Sequence, residues 1–241
     1  MKILFAGDWH GDINHVQYIY QIAIQKEVDY VIQVGDFGYW EHMQGGPEFL
    51  DMCQKFADES GIDLWWIDGN HENFDWLYDY PLDSDGRRPV RPNVIHLPRG
   101  HKWKWDGVTF LAFGGSFSID RGWRKLGSSY WEEELPTVEE ATKARAQGKV
   151  DVMVTHDVPD GADLSLLLGP DWKAKSQYPQ GCVDARARVR EVWEVAQPAW
   201  LFHGHYHQRA DSICGDTRIV GLANERTGPS SYTLFDTDEL G

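Results

Sequence analysis

Five times along this chain a short, mostly apolar run stops at residues able to bind a metal ion. Lys2–Ala6 leads into Asp8 and His10, Tyr30–Val34 into Asp36, and Leu64–Ile67 into Asn70 and His71. Val150–Thr155 leads into His156, and Trp200–Phe202 into His205 and His207. Short apolar runs bounded by Gly and Asp read as buried strands. In open α/β sheets the carboxyl ends of the strands form the ligand crevice. Five loops would therefore deliver these side chains to one rim.

The stretches between the runs fit that plan. Val16–Lys26 carries an apolar face at Val16, Ile19, Tyr20 and Ala23, and Gly46–Ser60 carries one at Phe49, Leu50, Cys53, Phe56 and Ala57. Strand–loop–helix, repeated, means parallel strands joined by helical crossovers. The pattern then changes. After a short strand, Val94–Leu97, the segments Lys102–Trp105 and Val108–Phe113 flank Asp106-Gly107, a two-residue hairpin signal. Ser116–Thr137 reads as a long polar and aromatic loop, Val138–Ala146 and Ala185–Val195 as helices, and a hairpin through Gly215-Asp216 precedes a last strand, Tyr232–Phe235. The expectation is an α/β fold of two packed, mixed sheets with helices outside. No linker, repeat or charge block interrupts the 241 residues, so residues 1–241 are read as one domain. Apolar residues make up 41% and there are 12 Trp, enough for a large, aromatic-rich core.

The donor set is chemically specific. Carboxylate oxygens and imidazole nitrogens suit first-row divalent ions. One ion takes about four to six ligands, so Asp8, His10, Asp36, Asn70, His156, His205 and His207 suit two ions better than one. A carboxylate can bridge, and Asn adds a neutral oxygen. Two Asp, two divalent ions and one hydroxide sum to about +1, which attracts phosphate. Taken singly, most of these residues are ordinary loop residues. Gly204-His205-Tyr206-His207 is less so, because His at i and i+2 on an extended segment face one way. Their shared position at successive strand ends makes the joint pattern informative.

Charge and cysteine content narrow the setting. The net charge of −15 argues against gripping duplex nucleic acid or an anionic membrane, but not against a small anionic substrate. Cys53, Cys182 and Cys214 are isolated and odd in number, which reads as reduced thiols in a cytoplasm. The apolar start meets Gly7-Asp8 at once, too soon for a signal peptide or a membrane span. Oligomeric state is not legible.

The residues Asp8-Trp9-His10, Gly35-Asp36, Gly69-Asn70-His71-Glu72, His156 and Gly204-His205-Tyr206-His207 resemble, in order and spacing, the motifs of the calcineurin-like metallophosphoesterase superfamily. The resemblance spans residues 7–207. It implies a four-layer αββα sandwich with two divalent metals at the sheet ends. Asp8, His10, Asp36 and His207 would hold one ion, and Asp36, Asn70, His156 and His205 the other, with Asp36 bridging. Manganese comes first, with Fe, Zn, Ni or Mg as alternatives. The resemblance further implies that a hydroxide shared by ions about 3.5–4 Å apart would attack phosphorus, and that His71 would not be a ligand but would assist the leaving group.

Departures from the pattern refine the substrate. The protein Ser/Thr phosphatases of the superfamily carry Arg before Gly-Asn-His and a second Arg soon after Gly-Asp. Here Asp68 stands at the first place and Phe37-Gly38-Tyr39-Trp40 follows the second. A diester carries less charge than a monoester, so a phosphodiesterase acting on small phosphodiesters is expected, with cyclic nucleotides the first substrates to test. A phosphomonoesterase or nucleotidase is the alternative, as is a weakly catalytic protein-binding scaffold. A scaffold typically loses ligands, and none is missing here. Trp9, Phe37, Tyr39, Trp40 and Tyr206 are expected at the rim, where rings stack on bases, although most of twelve Trp must lie in the core. Arg121 and Arg124 either reach a substrate phosphate or pair with Glu132–Glu134. His15, His42, His96, His101 and His203 fit no ligand position and are read as structural or exposed.

Overall fold

The computed structural model describes residues 1–169 and 179–240. In chain order the elements are β1 (Lys2–Ala6), α1 (Ile13–Lys26), β2 (Tyr30–Gln33), α2 (Gly46–Ser60), β3 (Asp63–Trp66) and α3 (Phe74–Asp79). There follow β4 (Arg88–Arg91), β5 (Val94–His96), β6 (Lys102–Trp105), β7 (Val108–Phe113), α4 (Val138–Arg145) and β8 (Val152–Thr155). The chain closes with α5 (Ser165–Leu168), α6 (Gln180–Ala196), β9 (Trp200–His203), β10 (Ala210–Cys214), β11 (Thr217–Gly221) and β12 (Tyr232–Asp236).

The strands form two sheets of one design, ordered β12-β1-β2-β3-β5-β4 and β10-β11-β9-β8-β7-β6. In each, four parallel strands lie between antiparallel edges. The parallel strands are apolar on both faces because both are covered. In β1, Ile3 and Phe5 join Ile32, Phe202 and Phe235 between the sheets. The alternate residues Leu4 and Ala6 pack outward with Val16 and Ile19 of α1 and Leu50 of α2. On the other side Leu111, Met153 and Leu201 meet Ala141 of α4 and Val189 and Val192 of α6. The result is the expected αββα sandwich.

Local signals account for the helix ends. Asp12 caps α1 by accepting from the amides of Asn14 and His15, and Thr137 with Glu140 makes a reciprocal capping box on α4. The helix α3 and the edge strand β4 were not anticipated: α3 has six residues, too few for a periodic face, and β4 contains Pro89.

Three of the rings expected at the rim lie in the core instead. Trp9, Phe37 and Tyr39 are fully buried. The loops after β1 and β2 fold back beneath the helices, where Phe37 stacks on Trp66 at 4.4 Å and Trp9 lies 5.6 Å from Phe37. Burying these rings stabilises the loops more than lining a wet crevice with them would.

Asp68, which stands where the phosphatase branch has Arg, faces inward. Its carboxylate accepts from Arg99 at 2.6 and 2.8 Å and lies 3.2 Å from His96 Nε2, all three side chains being buried. Burial alone would raise its pKa; Arg99 and His96 outweigh that and hold it below the ordinary carboxylate range. Asp68→Ala leaves the Arg99 charge short of its buried partner, and a loss of about 3–5 kcal/mol is expected in urea unfolding. Because the folded pKa is depressed, this stabilisation is present above the ordinary carboxylate pKa of about 3.9 and is lost as the pH falls through the folded value. The wild-type and variant stability curves should therefore converge in acid.

Candidate metal centre

The loops after β1, β2, β3, β8 and β9 converge. Trp9 and His10 hang from the Asp36 carbonyl through their amides at 3.0 and 2.9 Å, and the Gly204 amide donates to the His156 carbonyl at 3.3 Å. Asp8, His10, Asp36 and His207 each offer one ligand atom, and these atoms all lie within 4.8 Å of one another. His207 Nε2 is 3.1 Å from Asp8 Oδ2, and His10 Nε2 is 3.4 Å from Asp36 Oδ2. The other Asp36 oxygen, Oδ1, lies 3.3 Å from His156 Nε2, which is 3.2 Å from Asn70 Oδ1. The His205 ring stands 5.1 Å from that of His156. All seven predicted donors thus surround one space, and Asp36 turns a different oxygen toward each half of it.

Two glycines make this approach possible. A Cβ on Gly69 would stand 2.1 Å from the Asp36 amide nitrogen, and one on Gly204 would stand 2.0 Å from Asp8 Oδ1. Without side chains there, the following amides reach the carboxylates. Asn70 and His71 donate to Asp36 Oδ1 at 2.8 and 2.9 Å, and His205 donates to Asp8 at 3.1 Å. The backbone is strained at the same place. Among the described residues, seven non-glycine residues have positive φ, and four of them are His10, Asp36, His205 and His207. The remaining three sit at helix C-caps and a hairpin turn. Strain of this kind costs about 1–3 kcal/mol per residue and persists only where the surroundings enforce it.

The electrostatics show what the space is suited to hold. Asp8 and Asp36 are buried, as are Asn70 and His156. Burial opposes charging of His10 and His156, but Asp36 overrides it, raising His10 to about 9 and His156 to about 10. Asp36 itself is pushed well down: burial raises it, and His156, His71 and His10 more than compensate. Buried carboxylates that keep protons on neighbouring rings need positive charge. A divalent cation meets that need and leaves the imidazoles neutral, with lone pairs free to bind. The donor set therefore fits divalent metal.

Supporting contacts aim the donors. Asn70 donates its amide nitrogen to Ser118 Oγ at 3.0 Å, which leaves its oxygen for the centre. Ser118 in turn donates to Glu134 at 2.8 Å, and Glu134 is paired with Arg121. Arg121 is thus committed to the acidic run rather than to a substrate. Glu72, the last residue of its motif, accepts from the amides of Phe37, Gly38, Tyr39 and Gly69 and so clamps the Asp36 loop. Burial, with Asp36 adding, raises Glu72 to about 7.

Two residues were not picked out in the sequence. Asp157 accepts from Ser116 and from the Tyr206 hydroxyl, each at 2.7 Å, and Ser116 lies 3.1 Å from His205 Nε2. Its place directly after His156 was the available signal. Glu225 Oε2 lies 2.9 Å from His10 Nδ1. It comes after the last motif, and nothing in its neighbourhood marks it. A carboxylate on the far nitrogen of a ligating His fixes its tautomer and orientation. Glu225→Ala is expected to weaken metal affinity about 10–100-fold with little loss of fold stability, as read by metal titration and thermal unfolding.

His71 stands apart from the donors, with Nε2 3.9 Å from Asp36 Oδ2 and its side chain 24% exposed. Its carbonyl accepts from Trp40 Nε1 at 2.6 Å. Burial lowers its pKa, and Arg124 and His10 act in the same direction against Asp36. The fork of Arg124 spans both ring nitrogens at 2.7 and 3.0 Å. A neutral imidazole can accept at only one of them. Of the other histidines, His203 and His96 are buried, His15 is buried beneath the first loop, and His42 is pinned by Asn73 at 2.6 Å.

Paired mixed sheets carrying an Asp, Asn and His cluster at their carboxyl ends define a metal-dependent phosphoesterase. The chain belongs to the calcineurin-like phosphoesterase family, whose model matches residues 1–209, and is a metal-dependent phosphoric ester hydrolase. No curated protein matches it in sequence. Solved structures share the fold at low identity. One superposes with a TM-score of 0.62 at 15% identity, over 99% of this chain and 95% of that one. The TT1561 protein of Thermus thermophilus gives 0.55 at 13% over 98% of either chain. A dimetal phosphatase from Danio rerio gives 0.51 at 12%, over 96% of this chain and 91% of that one. Among the described residues no helix is long and apolar enough to cross a membrane.

Proposed function

We propose that this chain hydrolyses small phosphodiesters with two divalent cations. Asp8, His10, Asp36 and His207 hold one, and Asp36, Asn70, His156 and His205 hold the other. The observation that carries the reading is Asp36, whose two oxygens face His10 and His156 separately at 3.4 and 3.3 Å. Manganese is the first choice for this Asp and His set, with Fe, Zn, Ni or Mg as alternatives. The bound ions would supply Lewis acidity, drawing charge from the phosphoryl oxygens and acidifying a nucleophilic water. His71, at the edge of the cluster, protonates the departing oxygen.

The preference for diesters rests on the cavity over the cluster. It measures about 390 Å³ and is lined by His71, Ser118, Asp120, Asp157 and Tyr206 with Asp36, Asn70, His205 and His207 of the donors, and among the described residues no Lys or Arg lines it. Arg121 is paired with Glu134, and Arg124 with Asp120. A monoester dianion would find no free cationic side chain among these residues, whereas a diester monoanion needs none. The test is the Mn²⁺-loaded chain assayed on 2′,3′- and 3′,5′-cyclic nucleotides, bis-p-nitrophenyl phosphate and p-nitrophenyl phosphate. Higher kcat/KM on the diesters supports the reading. A preference for the monoester reverses the substrate class, and no turnover on any ester points to the scaffold alternative.

A further inference from the structure

We propose that a second cavity, on the far side of His71, receives the leaving group, and that this group is a base-bearing one such as a nucleoside. The proposal rests on the phosphodiesterase reading above and extends it to the substrate class. The cavity measures about 250 Å³ and is lined by Trp40, His42, Met43, Arg124, Ser128 and Trp131, among others, together with His71. Among the described residues, His71 is the one that lines both this cavity and the larger one over the metal cluster. Attack on phosphorus is in line with departure, so the leaving oxygen points away from the nucleophile. The acid that serves it must touch it. A leaving group served by His71 therefore continues past His71 and enters the second cavity.

The walls specify the occupant. Both indole N–H groups are engaged within the protein, Trp40 with the His71 carbonyl at 2.6 Å and Trp131 with Asp75 at 2.8 Å. These two residues therefore offer a ligand ring carbon rather than donors. His42 extends the aromatic wall, its ring 6.1 Å from that of Trp131. Ring walls stack on any base. Arg124 adds a cation suited to an electron-rich ring, and Ser128 adds a hydroxyl at the exposed rim. The volume falls below the roughly 300–1,000 Å³ of sites for larger ligands, so it suits a single ring system. Arg124 is a positioning residue here: it spans His71 on one side and is held by Asp120 at 2.8 Å on the other.

The test separates binding from turnover. Adenosine, which lacks phosphate and so has no hold on the metals, is titrated into the Mn²⁺-loaded chain by calorimetry. The expected result is saturable binding whose Kd rises about tenfold or more in Ser128→Phe, which fills the cavity from its exposed rim, and in Trp40→Leu. Ribose alone should not bind. No saturable binding of adenosine to the wild type, or an unchanged Kd in Ser128→Phe, overturns the proposal. In a kinetic arm, the kcat/KM preference for a nucleoside over a methanol leaving group should collapse in Ser128→Phe; a preserved preference also overturns it. Adenosine binding needs no catalysis. A chain that binds adenosine in this way yet cleaves no diester keeps the base pocket and loses the phosphodiesterase reading.

Discussion

Replacing His71 with alanine is expected to lower turnover about 10²–10⁴-fold while the purified variant keeps its full metal content. The separation follows from the geometry. What ties residue 71 to Asp36 most closely is its backbone amide, at 2.9 Å, and alanine keeps that bond. The ring lies farther off, 3.9 Å from Asp36, and is no part of the four-residue cluster. Arg124 loses one neighbour but retains Asp120. The loss should be largest for alkoxide leaving groups, which need a proton to depart, and smaller for p-nitrophenolate, which does not. Elemental analysis of the variant, together with kcat on both leaving-group types, checks this. Full activity on an alkyl ester would remove His71 from the mechanism.

Asp36→Ala should have the opposite profile: both ions lost, and activity lost with them. Its carboxylate reaches both halves of the centre, since Oδ2 faces His10 and Oδ1 faces His156. The substitution should also destabilise the fold. The amides of Asn70 and His71 lose their shared acceptor in a buried place, at about 1–3 kcal/mol for each group left unsatisfied. Asp36→Asn is the control, because its amide oxygen still accepts from those donors while the carboxylate charge is gone. It should fold nearly as well as the wild type and still purify without metal. One ion per chain in Asp36→Asn would show that Asp36 serves a single site.

The fold was largely legible because its signals are local. Strands apolar on both faces announce covered, parallel sheets, and Asp106-Gly107 and Gly215-Asp216 announce the β6–β7 and β10–β11 hairpins. Elements with weak local signals were missed: the short α3, the four-residue α5 and the Pro-bearing edge strand β4. The candidate donors were legible for a similar reason: each directly follows a buried strand, so topology alone carries it to the rim. Trp9, Phe37 and Tyr39 show where that logic fails. They stand in the same loops as the donors, yet their side chains turn inward, because a loop has no fixed alternation to say which way a ring points.

Sequence alone determined which residues collect at the sheet ends, because strand order and loop position depend on patterning that each segment carries in itself. Only the tertiary structure decided how those residues are used. It showed that Gly69 and Gly204 are bare so that amides can reach Asp36 and Asp8. It brought Glu225 from the tail to His10, and it committed Arg121 to Glu134 while laying Arg124 against His71. It also built an aromatic cavity from Trp40 and Trp131, which lie ninety-one positions apart in the chain. These are contacts between distant segments, set by packing and charge pairing once the sheets have closed, and no local pattern encodes them.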